Sequence, residues 1–401
     1  MPGRGVDAVM PSPCPREIRE GFCKDAFDYA RLAEQKSKRR FADTKKKVSA
    51  RDVLGEVAKV IERFEPHARV INLETSVTKK SSFYPHKGIN YRASEENMFA
   101  LLDVLKPDIV SLANNHAMDF SREGMEDTLK FFDSIDNKMR VKRIGAGWNI
   151  ADAMKPAVLE NVYPYGFAPA RNDKRGVDVA AFGLCFEDSG VPREWQSTER
   201  SMGVFLATED DKVPERLLSA IAKIKKESSN NAIVVVSVHF GSNWGFEVPR
   251  SHVTAAKALV DAGADVVHGH SSHHAKTAML YKKKLILFGC GEFFNDYEGI
   301  RPHPGFPETS YLGHLRLLYF VDVDAKTHNF SKLEIVLMRQ KMFALTTLEN
   351  PREEAEQFLA TLRQQYAFGH LKLQLKGDGT TLIAWPDDAV RLRRRSDDDE
   401  L

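Results

Sequence analysis

Residues 232–240 read AIVVVSVHF. A near-continuous run of β-branched residues, with no polar residue at every second place, is the pattern of a strand buried on both faces. It ends in His239, a residue type that can bind a metal. The segments around it alternate in character. Downstream, VTAAKALVDAG (253–263) reads as a helix closed by Gly263, and ADVVHG (264–269) and KLILFGCG (284–291) read as two more strands. Upstream, VDVAAFGL (177–184) is a strand and PERLLSAIAKIKK (214–226) a helix opened by proline. Earlier still, ARVINLE (68–74) and DIVSLAN (108–114) are strands. SEENMFALLDVLK (94–106) is an amphipathic helix with a serine cap, stopped by Pro107, and SREGMEDTLKFFDS (121–134) is another helix.

Apolar runs alternating with helices argue an α/β or α+β layered sheet with helices on both faces. Residues 312–340 follow as a hairpin-like pair of strands, then a helix at 351–368 and a short strand at 380–385. The expected organisation is one domain over 1–345, with a C-terminal helix–strand elaboration and an acidic tail over 346–401.

Composition narrows the function classes. The 401 residues can bury a sizeable core. Hydrophobic residues are 42% and charged residues 28%, a soluble globular balance. With 58 Lys plus Arg against 56 Asp plus Glu, nothing points to nucleic acid as a partner. The four cysteines are scattered, which argues against a disulfide framework or a thiolate cage. No apolar run approaches the ~20 residues a membrane helix needs, and the first residues hold no apolar signal core. The sequence as written therefore reads as cytoplasmic. The dense basic run KSKRRFADTKKK (36–47) reads as a solvated face, and the terminal DDDEL as a solvated acidic tail.

Ligand-type residues recur at the carboxyl ends of the buried strands: Glu74 after VINL, Asn115 and His116 after IVSLAN, His239 after VVVSV, and His270 and His273 after ADVVHG. In open α/β sheets, ligands bind outside those strand ends. Carboxylate, amide oxygen and imidazole suit Mn, Fe or Zn. Two such ions can clamp a phosphoryl group and supply a hydroxide. His116 is placed to protonate a leaving oxygen, and Asp119 to orient its imidazole. The cluster VHGHSSHHA (267–275) cannot all bind metal. His268 is read as a structural residue pointing to the face opposite its neighbours, and His274 as ambiguous. In GCGEFFNDYEG (289–299), Cys290, Glu292, Asn295 and Asp296 are expected to line the rim, with Cys290 packed rather than reactive.

The order Glu, Asn-His, His, Gly-His-x-x-His resembles the calcineurin-like metallophosphoesterases. More closely, the chain resembles the CapA family of capsule-synthesis (poly-γ-glutamate) proteins, through GRGVD, INLETSVT, KGINYR, LANNHAMDFSREGMEDTL, VHFGSNWG, LVDAGADVVHGHSSHH, LILFGCGEFFNDYEG and REEAEQFLATL. The resemblance implies a four-layer α/β/β/α sandwich and a dinuclear centre of divalent ions. By motif, Glu74 would bridge, Asn115, His239, His270 and His273 would be ligands, and His116 would be catalytic. His274 is the reserve for His273, because the closing pair is spaced differently from the phosphoesterase Gly-His-x-His. The resemblance also implies a first strand ending in Gly-Asp just before GRGVD. Met1-Pro2 stands at that point, so that strand and its aspartate are expected to be missing, with an unpaired edge left in the sheet. Asp7 is too far along to replace it. Either the sequence continues upstream or the centre holds one ion or none. Two functions are expected to compete: a metal-dependent phosphoesterase-like hydrolase, and a non-catalytic factor binding an anionic polymer.

Overall fold

The computed structural model describes residues 1–41, 47–163, 176–208, 212–228, 231–300, 311–366 and 370–387. The tail DDDEL and most of the lysines closing the basic run lie outside the described residues. Lys36, Lys38, Arg39, Arg40 and Lys47 are exposed, as a solvated run should be.

The valine-rich stretch is a strand, Ala232–His239, at the middle of a seven-stranded sheet. Val177–Phe186 and Val266–His270 flank it in parallel, and Lys284–Leu287 continues the parallel run. Ala157–Val162 and Ala278–Tyr281 add antiparallel edges. One face is covered by helices Glu215–Glu227 and Arg250–Asp261. There Leu217, Ile221, Ala256 and Leu259 pack in one core with Val234, Val236 and Val238.

The other face meets a smaller parallel sheet of Val70–Asn72, Ile109–Ser111 and Lys142–Ile144. Ile109 and Ile144 of the small sheet touch Ala157 and Ala181 of the large one. The two backbones come close at one point. A Cβ on Gly183 would fall 2.7 Å from the Cα of Gly145, so side-chain-free residues are required on both sides. Helices Glu95–Leu105 and Ser121–Met139 cover the far face of the small sheet, with Met98, Leu102, Met125 and Leu129 against Val110. The Ser94 hydroxyl caps the first of these helices by accepting from the Asn97 N–H at 3.1 Å, and Lys106 closes it in the left-handed region. The architecture is a mixed α/β one.

The third sheet is antiparallel. Leu315–Val323 and Phe330–Lys341 form the expected hairpin. Thr381–Pro386 pairs with the second hairpin strand, and Leu371–Leu375 with Thr381–Pro386. The helix Pro351–Tyr366 buries Ala355, Phe358, Leu359 and Leu362 in the same core as Leu333 and Ile335. Among the described residues, Leu315–Val323 has no strand on its outer side, and neither has Val70–Asn72. Both free edges line one cavity of about 640 Å³. Val179, Ile233, Val235 and Val266 of the large sheet form its floor, and Ile61, Leu101 and Leu105 its roof. Glu74, His270, His273 and Glu292 also line it. Among the described residues, no helix is long and apolar enough to cross a membrane.

Candidate metal centre

Strand register places the two central histidines. His239 and His270 are direct partners across the parallel pair, so both side chains leave the same face at the same height. Their Nδ1 atoms are 2.9 Å apart. Glu74, just past the strand Val70–Asn72 of the facing sheet, brings Oε1 to 3.5 Å from His239 Nδ1. Glu74, His239 and His270 each offer a ligand atom, and the three atoms lie within 4.8 Å of one another. Two sheets thus aim a carboxylate and two imidazoles at one buried point.

The loops that carry the remaining candidates are tied together by asparagines. Asn72 Nδ2 donates to Glu74 Oε1 at 2.7 Å. Asn114 Nδ2 donates to Asn72 Oδ1 and to the Leu73 carbonyl, while its Oδ1 accepts from the His116 N–H. These bonds join the turn after one strand to the turn after its neighbour. Asn114 is therefore consumed in holding the turn, and Asn115 is the amide left over. Its Oδ1 is buried without a hydrogen-bond partner. Such a group costs about 1–3 kcal/mol unless something pairs with it, which is what a ligand position supplies. His239 Nε2 is buried without a partner too.

His116 and Asp119 form the expected pair: Nδ1 lies 2.8 Å from Asp119 Oδ2. A carboxylate accepts only, so this contact puts the proton on Nδ1 and leaves Nε2 as the working nitrogen. Asp119 Oδ2 also accepts from the Tyr91 N–H at 2.6 Å, and the Tyr91 ring meets the His116 ring edge-on at 4.5 Å. Lys87 joins the pair, with Nζ 2.8 Å from Asp119 Oδ1 and 3.2 Å from His116 Nδ1. Sequence reading missed Lys87: it stands 29 positions before His116 in a loop with no periodic pattern. Only its place in KGINYR could have drawn attention to it.

His273 stands apart from the three clustered residues. Its Nδ1 is 2.7 Å from Glu292 Oε1, and its ring lies against Trp244 and Tyr297. His274, its reserve, is committed elsewhere: Nε2 lies 3.1 Å from the Gly245 carbonyl and the ring stacks on Trp244. The expected orientation of His268 needs correction. Positions two apart on a strand share a face, and His268 and His270 both contact Ser237 Oγ, at 3.2 and 2.9 Å. His268 nevertheless lies outside the three-ligand cluster. Asp7, buried at 2% exposure, is spent on the Cys14 and Ser94 N–H groups and on Asn97.

The electrostatics favour a cation. Burial holds His239 down to about 4 against the pull of Glu74, and burial with His239 nearby holds His270 well below its usual value. Both are neutral at pH 7, the form that binds metal. Burial opposes ionisation of Glu74, but the fields of His239, His116 and His273 outweigh it and keep the carboxyl below its usual range. Burial also disfavours charge on His273, yet the Glu292 contact overcomes this and raises its pKa. The donor set fits a hard or borderline divalent ion.

A more distant network braces the site. Arg4 is sandwiched between the Tyr29 and Tyr91 rings, at 3.8 and 4.1 Å, and both its terminal arms reach Asp296 or Glu20. Tyr91 in turn bonds Tyr297 at 2.7 Å. The GRGVD and FFNDYEG segments, distant in sequence, meet here behind His116 and His273. Asp188 performs a similar task behind His239, accepting from the Gly241 N–H at 3.0 Å and pairing with His252 at 2.5 Å.

Known proteins are similar to this chain in sequence. The family described as bacterial capsule synthesis protein PGA_cap matches residues 1–297. A probable polyglutamine synthesis accessory protein of Mycobacterium tuberculosis is 34% identical over 339 residues, 84% of this chain and 82% of that protein. The capsule biosynthesis protein CapA of Bacillus anthracis is 32% identical over 221 residues, 54% of this chain and 47% of that one. The PGA biosynthesis protein CapA of Bacillus subtilis is 30% identical over 226 residues, 56% and 52% of the two chains. The family match spans Glu74, the His116–Asp119 pair, His239, His270, His273 and Glu292 alike, and on it the chain belongs to the bacterial capsule synthesis protein family, PGA_cap.

Proposed function

We propose that the chain is a metal-dependent hydrolase acting on an anionic substrate, with a phosphoester or related bond cleaved at the Glu74–His239–His270 centre. The convergence of those three ligands from two sheets carries this reading. It includes a metallophosphoesterase-like layering of the fold, in which helices, small sheet, large sheet and helices follow one another. Divalent ions there would polarise the scissile bond and lower the pKa of a bound water. Glu74, His239 and His270 would hold the ion, and Asn115 offers a buried amide oxygen with no hydrogen-bond partner. His116, with Nδ1 fixed by Asp119, presents Nε2 to exchange a proton with the leaving oxygen. Lys87 keeps Asp119 ionised and in place, and adds positive charge where an anionic substrate enters.

The test is metal content per purified chain after manganese loading, followed by turnover of a phosphomonoester and phosphodiester series. His116→Ala is expected to lower turnover by about 10²–10⁴-fold while metal content stays unchanged. Full activity in that variant would remove the catalytic role of His116.

A second reading is a non-catalytic factor binding an anionic polymer; the relatives' names, a probable polyglutamine synthesis accessory protein and a PGA biosynthesis protein, support a part in polymer synthesis. It predicts binding of polyglutamate to the metal-loaded chain with no cleavage of polymer or phosphoester. Polymer shortening on incubation would exclude it.

A further inference from the structure

Four side chains leave one face of the large sheet as a block. Ser237 is the register partner of His268, and His239 of His270, across the parallel strands Ala232–His239 and Val266–His270. Residues two apart on a strand share a face, so Ser237 projects with His239 and His268 with His270. The partner of Ser237 on its other side is Gly183, which carries no side chain. Ser237 is fully buried. Its hydroxyl lies between two rings, 2.9 Å from His270 Nε2 and 3.2 Å from His268 Nδ1. The proposed reaction so far uses neither Ser237 nor His268.

These contacts continue as a chain: His268 Nδ1, Ser237 Oγ and His270 Nε2, then His270 Nδ1 against His239 Nδ1 at 2.9 Å. A hydroxyl has one hydrogen to give and lone pairs to accept with, and a neutral imidazole has one N–H. The hydrogens can therefore run in two directions. In one, His268 Nδ1–H donates to Ser237, Ser237 donates to His270 Nε2, and the His270 hydrogen sits on Nδ1. That nitrogen is then closed to a cation. In the other, His270 Nε2–H donates to Ser237, Ser237 donates to His268 Nδ1, and His270 Nδ1 keeps its lone pair. Nδ1 is the atom that His270 turns to His239, whose own Nδ1 Glu74 approaches. Only the second direction leaves a lone pair there for the three-residue cluster. A histidine that binds metal characteristically donates its other ring N–H to a neighbouring acceptor, which sets the tautomer and the ring plane.

We infer that Ser237 is the positioning residue of His270: its hydroxyl accepts the His270 Nε2–H, donates to His268 Nδ1, and so holds His270 Nδ1 open to a divalent cation beside Glu74 and His239. The inference rests on the metal reading above and names the hydrogen-bond direction which that reading needs. His268 is then the terminal acceptor, with its own hydrogen on Nε2. It lines the cavity, half-buried, and stays out of the cluster.

The experiment joins manganese calorimetry of the full chain with ¹⁵N spectroscopy of its labelled histidines in the metal-free state. Signals are assigned by their loss in His268→Asn and His270→Ala. In wild type, His270 and His268 are both expected to carry hydrogen on Nε2. Ser237→Ala removes the hydroxyl with little change in size. It is expected to leave His270 as a mixture of tautomers and to weaken manganese by about 10- to 100-fold, with unchanged far-UV circular dichroism. His268→Asn keeps an acceptor where Nδ1 stood and should bind manganese much as wild type does, whereas His268→Leu should bind it less tightly. A merely structural hydroxyl would move neither the tautomer nor the affinity. Hydrogen on His270 Nδ1 in the metal-free wild type, or unchanged manganese affinity in Ser237→Ala, would overturn the inference and leave the metal reading standing. Equal affinities in the two His268 variants would overturn the part given to His268. A wild-type chain that takes no manganese would overturn the metal reading and this inference with it.

Discussion

The large sheet and the layer facing it are built to different tolerances. In the large sheet, the His239 and His270 strands each have a paired neighbour on both sides, and the two histidines are set by register, residue against residue. Among the described residues, the strand before Glu74 in the facing sheet and the hairpin strand Leu315–Val323 in the third sheet each leave an edge that lines a cavity of about 640 Å³. In the facing layer, Glu74 and His116 are set by single side-chain contacts: Asn72 holds Glu74, and Asn114 and Asp119 hold His116. A backbone ladder holds position through many bonds at once. A loop held by single side chains depends on each of them. Half of the centre is therefore rigid by topology and half by individual contacts.

The largest effect should come from the rigid half. His239→Ala removes one of two register-paired ligands, and manganese affinity at the cluster is expected to fall by about 100-fold or more, as read by calorimetry. Because the strand ladder does not depend on that side chain, the far-UV circular dichroism should be unchanged. Near-native metal affinity in the variant would break the assignment of the cluster.

Gly269→Ala tests how tightly the ladder is packed. A Cβ there would fall 2.2 Å from the Leu287 carbonyl oxygen and 2.8 Å from the Phe240 ring. A backbone atom cannot move aside as a flexible side chain can, so the cost is expected to reach about 3 kcal/mol, measured by urea unfolding. A loss below about 1 kcal/mol would mean that the sheet yields more easily than the comparison holds.

Two adjacent residues on one strand sharpen the comparison further. Val236 is fully buried against the helices, whereas Val235 lines the cavity. Adding one methylene, Val236→Ile should destabilise by about 1–3 kcal/mol, because it overpacks a filled core. Val235→Ile grows into open space and should change stability by less than about 0.5 kcal/mol. Equal costs at the two positions would mean that the cavity closes in solution.

The smallest effect concerns Cys290, which also lines the cavity. Burial pushes its thiol up to about 12. The thiolate is the reactive form, so alkylation at pH 8 should be slow and should accelerate as the pH rises toward that value. Cys23, half-buried and raised by burial only to about 11, should label first in mass spectrometry of the native chain. Faster labelling of Cys290 would show an ionised thiol beside the candidate site.

Much of this was legible in the chain itself. The run AIVVVSVH could only be an interior strand, because so many β-branched residues need apolar neighbours on both faces. The helix at Glu95–Leu105 announced its own start and stop through Ser94 and Pro107. Glu74, His239 and His270 were recognisable because a polar ligand at the end of an apolar strand is costly without a task. His268 shows the limit of reading one residue at a time. Its strand period was available in the sequence, and it places His268 on the face of His270, as the shared Ser237 contact records.

What the sequence determined is which segments are strands and helices, in what order, and which strand ends carry groups able to bind a metal, since periodicity and capping are local properties of the chain. Tertiary structure alone decided that Glu74 of one sheet meets His239 and His270 of another. It decided too that Lys87 stands on Asp119, that Glu292 lies against His273, and that, among the described residues, two strand edges line one cavity. Those facts depend on contacts between residues tens to hundreds of positions apart, and no local pattern records which distant partner a buried charge or a free edge will find.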